Sequence, residues 1–423
     1  MPPMKRWVCL GLALLGGLCE APGQTNGIFA DFSTSMGNFT VWLDHERAPR
    51  AVASFVGLAT GEGGWLDAQS NVWHRPFYDG TIFHRVVKDA NTNGMAIQGG
   101  GHAVVNGTAT NFAGPGYTML EGVTNGLAHS NGVISMANSG PDTDGSQFFI
   151  TTTNVPGWDG GYSVFGHVTE GMGAMTSIAA VAVQGTGSRP VEDVVLSNVV
   201  IRRVGAAAEA FDAAAQGVPS PESAPVRMIP SGTNVALAVE LATQTKPLMF
   251  SDTTNAGSFA AWDHQTMFAG LSFYTNATAV LTQSWAVADL GDRHFFHVSR
   301  IRYPVPITSP TNNRASPNRK FTFWWDTATT TKYEVTFAAS RTNQGIYQAT
   351  VGTNAPVSGL VFTGDSWTQD AYSARLYFFD NSGKEQTYSL GFHPGQPTNR
   401  FTGTVKDWVG GSTYSIWGTF IVQ

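Results

Sequence analysis

Along much of the chain apolar and polar residues alternate with a period of two, the pattern of half-buried strands. In "GNFTVWLD" (37–44), Phe39, Val41 and Leu43 fall on one face. Short strands are expected likewise at "TIFHRVV" (81–87), "MAIQG" (95–99), "VISMA" (133–137), "QFFIT" (147–151), "SVFGHV" (163–168) and "VVLSNVVIRRV" (194–204). Helices are expected at two places. "APRAVASFVGLATG" (48–61) has Pro49 near its start and Gly61 near its stop, and "GMGAMTSIAAV" (171–181) fits a second helix. Many short strands with two helices point to a mostly antiparallel barrel or sandwich with helical caps.

The pattern breaks at residues 206–230, where an Ala-rich stretch passes into Pro and Ser. Residues 205–230 are read as a linker between a first domain, 28–204, and a second, 231–423. The second domain strings together "NVALAVEL", "SFAAW", "HFFHVSRIRY", "KFTFWW", "KYEVTF", "GIYQATVG", "ARLYFFD", "TYSLGF" and "STYSIWGTFIV" between Asn, Gly, Ser and Pro turns. That spacing predicts an all-β domain, sandwich or barrel. The alternation of Tyr414, Ile416, Gly418 and Phe420 also suits an outer-membrane strand, but a full set of ten-residue alternating segments is missing, so a protein core is preferred.

Composition adds a compartment. Only 13% of residues are charged, against about 25% in an ordinary soluble protein, and 48 are Gly. The first 23 residues place Lys5 and Arg6 before an apolar run from Trp7 to Leu18 and then small residues, the layout of a signal peptide. Both cysteines, Cys9 and Cys19, lie inside it, so the mature chain needs no disulfide. Leu18 is the wrong residue before a lipidated Cys19, which makes a lipid anchor the weaker reading. An exported chain, periplasmic or extracellular, is expected. The formal net charge of −6 gives no basic footprint for nucleic acid or an anionic membrane.

The ordered strings "GNFTVWLDHERAPRAVASFVGLATG", "RPFYDGTIFHRVV", "IQGG", "GPGY", "GVISMANSGPDTDGSQFFITT", "VFGHV" and "EGM" resemble the cyclophilins, over residues 28–204. The resemblance implies an eight-stranded antiparallel barrel capped by two helices and a peptidyl-prolyl cis-trans isomerase that acts on Pro-containing polypeptides. Such a reaction breaks no bond and calls for no metal or cofactor. It needs an apolar slot for the proline ring and a donor for the twisted imide, a task that suits the permanently charged fork of arginine.

By resemblance Arg85 is the catalytic arginine and Gln98 the glutamine that orients it. Read as one strand, Arg85 faces the same way as Phe83 and Val87, and the alternative role is an ion pair with Asp89 or Glu121. Ala137, Asn138 and Ser139 match the segment whose backbone pairs with bound peptide. Gln147 and Phe149, two apart and hence on one face, match the peptide-contacting glutamine and the floor of the proline pocket.

Several positions depart from the family. Met95 and Ala96 stand where Phe and Met are usual, which removes volume from the slot, and the loop "KDANTNGMA" is longer than usual. In "VPGWDGGYSVFG", Tyr162 takes the His position, Trp158 the Leu position and Gly157 the Trp position. Trp65 and Trp73, in a long loop at 61–80, are expected to pack on the barrel. "HFFHV" and "GDSW" carry no chemistry: His294 and His297 would face opposite sides of a strand, and Ser366 lacks identifiable partners. The favoured reading is an exported prolyl isomerase, acting as a monomer, whose β domain brings it to clients or an envelope component. The alternatives are a Pro-peptide binding module with little turnover and a structural or adhesive envelope protein dominated by the C-terminal β domain.

Overall fold

The computed structural model describes residues 26–422 except 68–70, 92, 106–107, 112–113, 186–187, 242–244, 254–262, 266–278, 287–294, 304–319, 326–330, 342–345, 353–356, 363–366, 370–372, 381–383 and 393–398. The expected signal peptide, "SFAAW", His294 and most of "GDSW" therefore lie outside the described residues.

Strands β1 (Gly27–Thr34) and β2 (Gly37–Leu43) form a hairpin whose turn is tied by Thr34, its hydroxyl donating to the Gly37 carbonyl at 2.6 Å. Register sets Ile28 opposite Leu43, Ala30 opposite Val41 and Phe32 opposite Phe39, and all six are buried. The period-two pattern thus becomes one wall of a core. Helix α1 (Pro49–Thr60) covers one end of it and stops at Gly61, whose φ of 81° is left-handed. A Cβ on Gly61 would lie 2.4 Å from the Arg75 carbonyl carbon, so only glycine fits that close approach. On the inner side of α1, the Phe55 ring meets those of Phe32, Tyr78, Phe148 and Phe165 at 4.9 to 5.9 Å. Offset and edge-on packing of this kind adds to the area term of burial.

The loop after α1 forms a small hairpin, β3 (Trp65–Leu66) and β4 (Val72–Trp73). Its tryptophans pack, as expected: Trp65 is buried, its ring 6.1 Å from that of Trp73, with the Arg75 guanidinium 4.2 Å from the Trp73 ring centre.

The remaining strands of this region are β5 (Thr81–Phe83), β6 (Arg85–Lys88), β7 (Gly94–Gly99), β8 (His102–Val105), β9 (Thr108–Asn111), β10 (Val133–Met136), β11 (Phe148–Thr151), β12 (Val164–Glu170), the short pair β13 (Val183–Gln184) and β14 (Arg189–Pro190), and β15 (Val194–Val204). One antiparallel sheet runs β6, β7, β11, β10, β12, β2, β1, β15, β5, β8, β9. Strands β5 and β6 are consecutive, with only His84 between them, yet lie far apart in that order. Chain continuity therefore curls the sheet upon itself. Counting β5 and β6 as one broken strand, the circuit from β6 round to β5 has eight strands, with the β8–β9 hairpin as an extension. Helix α2 (Met172–Ala180) sets Met175 and Ile178 into the same core.

The break at His84 corrects one expectation. Phe83 and Arg85 do not share a face. Phe83 is wholly buried, Arg85 is exposed, and the residue that continues the core on β6 is Val86.

The stretch 205–230 is folded. It holds the single helical turn α3 (Ala206–Glu209) and the strands Ser220–Ser223 and Val226–Ser231. Ala208 and Phe211 join the barrel core, while Pro221 pairs with Ile301 of the strand Phe295–Arg302. Farther on, the described residues form antiparallel sheets, and the apolar runs named above as strands, "SFAAW" apart, fall on them where they are described. In the largest, Phe323 stacks on Tyr388 at 4.4 Å, and Phe401 and Phe420 close around it at 5.2 and 5.6 Å. The apolar face of the last strand, Thr413–Val422, thus points into protein: Ile416 and Phe420 are buried.

Candidate active site

Strands β6, β7 and β11 pair so that Arg85 lies opposite Gln98 and Gln98 opposite Phe149. Their neighbours Val86, Ile97 and Ile150 are fully buried in the barrel. Because side chains alternate along a strand, Arg85, Gln98 and Phe149 must face outward together. The Arg85 guanidinium donates through Nη1 to Gln98 Oε1 at 3.4 Å, and Gln98 Nε2 donates to Gln147 Oε1 at 2.9 Å. Neither carboxylate considered as its alternative partner is engaged with it. Asp89 accepts from Asn91 and Asn93 of its own loop, and Glu121 binds Arg400. Gly101 makes room for this chain: a Cβ there would fall 2.6 Å from Gln147 Cγ.

Phe149, only 5% exposed, is the centre of an aromatic cluster. Trp158 and Tyr162 stand edge-on to it at 5.3 and 5.2 Å. His129 lies parallel to it at 5.7 Å. Trp158 comes from a short 3-10 turn, Pro156–Trp158, and its ring supplies the wall that residue 157, an exposed glycine, lacks. His129 was invisible to sequence reasoning, since a lone His in "GLAHS" has no telling spacing. Asp159 places it, accepting from the His129 backbone N–H at 2.7 Å and meeting Nδ1 at 2.8 Å, while Nε2 reaches Ser135 Oγ at 3.2 Å. Those bonds, the backbone one foremost, hold the Asp159 carboxyl below the usual carboxylate range.

Ala96, two residues from Gln98, shares its face but not its exposure, and Met95 lies on the other face. Ala96, between Thr151 and Val87 in the register, is completely covered and presents no surface. Met95 is half-buried and by alternation belongs with Ile97, not with Gln98. The small residue at 96 therefore leaves no open gap in the wall.

Gln98, Ala137, Asn138, Ser139 and Gln147 line one depression of about 330 Å³ beside the aromatic cluster. The Ala137 N–H is taken by the Gln147 carbonyl at 2.8 Å and the Ser139 N–H by Thr143 Oγ1 at 2.8 Å. Of the three, Asn138 alone keeps a main chain with no internal hydrogen bond among the described residues. Its side chain is anchored instead, Nδ2 donating to Asp144 Oδ1 at 3.2 Å and to the Gly161 carbonyl at 3.0 Å.

Two titrating groups flank the site, the half-buried His84 and the buried Asp144. Burial pulls the His84 imidazole down to about 4, helped by His102, whose ring lies 4.0 Å away, so it stays neutral next to Arg85 at ordinary pH. Burial pushes the Asp144 carboxyl up to about 7, reinforced by Glu121 and Asp142 and opposed by the bond from Ser163 Oγ at 2.6 Å. Between its ordinary 3.8 and about 7, the folded chain binds the Asp144 proton more tightly than the unfolded one, so this group's contribution to stability falls as pH rises through that window. Asp144→Asn is expected to flatten the fall in Tm between about pH 4 and about pH 7 relative to the wild type. Thermal unfolding across that range checks it, and parallel curves for the two proteins would contradict the assignment.

The arrangement offers one permanent cation, an aromatic slot and a main-chain edge. That equipment suits holding and twisting an extended peptide, not attacking one. A family model described as "Cyclophilin type peptidyl-prolyl cis-trans isomerase/CLD" matches residues 29–205. Peptidyl-prolyl cis-trans isomerase B of Streptomyces anulatus is 35% identical over 178 residues, covering 41% of this chain and 96% of that protein. Probable peptidyl-prolyl cis-trans isomerase A of Mycobacterium leprae is 35% identical over 176 residues, covering 41% and 91%. Among solved structures, a cyclophilin type peptidyl-prolyl cis-trans isomerase of Cryptosporidium parvum matches at 25% identity and a TM-score of 0.33, over 42% of this chain and 98% of that one.

Proposed function

The chain belongs to the cyclophilin-type peptidyl-prolyl cis-trans isomerases, and from that premise we propose that it isomerises X-Pro bonds in exported or envelope proteins, with Arg85 as the donor to the twisted imide. The uncatalysed rotation faces about 18–20 kcal/mol because it destroys C–N resonance. As the bond twists, the imide nitrogen becomes pyramidal and gains a lone pair. A hydrogen bond from a guanidinium to that nitrogen forms only in the twisted state, so it lowers the barrier without deepening the ground state. Such a charge-assisted bond contributes ~1.5–3 kcal/mol, or roughly 10 to 150-fold in rate. Seating the proline ring against Phe149, Trp158 and Tyr162 adds orientation and excludes water.

The observation that carries this reading is the chain Arg85, Gln98, Gln147 on the same face as Phe149, since it aims a held cation across an aromatic slot. Asn138 is assigned the pairing with the substrate main chain. Export rests on the pattern of residues 1–23, with the periplasm or the exterior as the compartment and the β region after residue 230 as the part that brings the enzyme, as a monomer, to its clients or to an envelope component.

A protease-coupled assay on an X-Pro peptide with the intact full chain tests the activity. Acceleration in proportion to enzyme concentration is expected. A folded chain that leaves the rate at its solvent value would sink the proposal in favour of a binding module.

A further inference from the structure

The isomerase groove is braced from outside its own barrel. The C-terminal strand Asn399–Asp407 sets Phe401 into its core and Arg400 on the opposite face. Arg400 Nη1 donates to Glu121 Oε1 at 2.6 Å, and its Nη2 donates to the Gly160 carbonyl. The two residues Arg400 and Glu121 are 279 positions apart in sequence.

Both ends of that contact matter to the groove. The Glu121 side chain is 1% exposed, and its own backbone N–H donates to the buried Asp142 at 3.1 Å. A carboxylate so placed is costly without a cation, and Arg400 brings one from the other sheet. The Gly160 carbonyl belongs to the turn whose next carbonyl, Gly161, receives Asn138 Nδ2, and whose next residue, Tyr162, stands against Phe149. One guanidinium therefore ties together the supports of Asn138 and of the aromatic wall.

The contact is a seated one. On neighbouring strands of the same sheet, Ser389 and Thr402 close on Gly140, where a Cβ would lie 2.7 Å from Ser389 Cβ, and Gly391 closes on Pro141. Beside it, Ile301 and Tyr303 form an apolar cluster with Leu66, Tyr117 and Leu120, the last next to Glu121 and Tyr117 lining the same depression as Asn138.

We propose that Arg400 is a positioning residue for the substrate groove: the C-terminal sheet neutralises Glu121 and holds the 160–162 turn, and so sets Asn138 and Tyr162 for peptide binding. The proposal rests on the groove assigned above. In the full chain, Arg400→Ala is expected to raise KM and the Kd for a fluorescein-labelled Ala-Ala-Pro-Phe peptide about tenfold, as loss of a charged hydrogen bond does, with kcat within about twofold. Glu121→Gln combined with Arg400→Ala removes the buried charge with its partner, and both constants are expected to return to within about threefold of the wild type. A merely scaffolding role predicts a lower Tm for Arg400→Ala with the Kd and KM of the folded protein unchanged. The proposal is overturned if Arg400→Ala binds the peptide within about twofold of the wild type, or if the double variant is as weak as the single one. Wild type that binds the peptide without turnover, with binding still weakened in Arg400→Ala, would support the positioning role while removing the isomerase reading.

Discussion

Arg85→Ala lowers kcat/KM for an X-Pro peptide by at least about tenfold, the lower end of what a charge-assisted hydrogen bond contributes. The loss is expected in kcat, because the bond to the imide nitrogen exists only once the nitrogen has become pyramidal. Stability should hardly change: Arg85 is exposed, and its one side-chain hydrogen bond among the described residues is the 3.4 Å contact to Gln98. Arg85→Lys keeps the charge but loses the fork that reaches Gln98 and the imide together, and is expected to fall between the two. The protease-coupled assay with circular dichroism on the same samples checks both halves. Full activity in Arg85→Ala would move the chemistry to another group.

Phe149→Ala should remove peptide binding and much of the domain's stability together. The ring is 5% exposed and is the one that His129, Trp158 and Tyr162 all meet, so its loss leaves a cavity that three rings cannot refill without moving. Phe to Ala in such a setting costs about 3–5 kcal/mol. The proline ring also loses its floor, and ~1.5–3 kcal/mol of apolar burial corresponds to roughly 10 to 150-fold in affinity. Phe149→Leu separates the effects, since it keeps most of the volume and should remain folded while binding the peptide more weakly. Urea unfolding and peptide anisotropy on both variants give the answer. Unchanged peptide affinity in folded Phe149→Leu would place the proline elsewhere.

The apolar patterns reach far toward the fold. Short apolar runs located β2, β7, β10, β11, β12 and β15 and most strands of the C-terminal sheets, alternating where one face is buried, as in β2, and unbroken where every position is, as in β10 and β11. The same alternation put Gln147 and Phe149 on one face, whereas Gln98 was found by resemblance alone. It failed at His84, because a strand that breaks and changes partners resets its faces, and nothing local in "TIFHRVV" marks the change. It also could not treat 205–230 as anything but a connection. Polar, proline-containing strands such as Ser220–Ser223 are stabilised by their partner, here Phe295–Arg302, and not by their own composition.

The aromatic wall shows the same division. Counting residues put Trp158 and Tyr162 in the right segment, but only the 3-10 turn swings the Trp158 ring onto Phe149. His129 entered the cluster through Asp159, thirty residues away in the chain.

What the sequence determined by itself was therefore the family, the alternation that makes a barrel, and the presence of one arginine on a strand with apolar neighbours, all of which are local patterns. The tertiary structure alone decided which residues those neighbours face, that Ala96 is covered, and that Glu121 is answered by Arg400 from another sheet. Burial and charge pairing depend on what the rest of the chain brings alongside, and contacts across hundreds of residues leave no periodic trace in the order of amino acids.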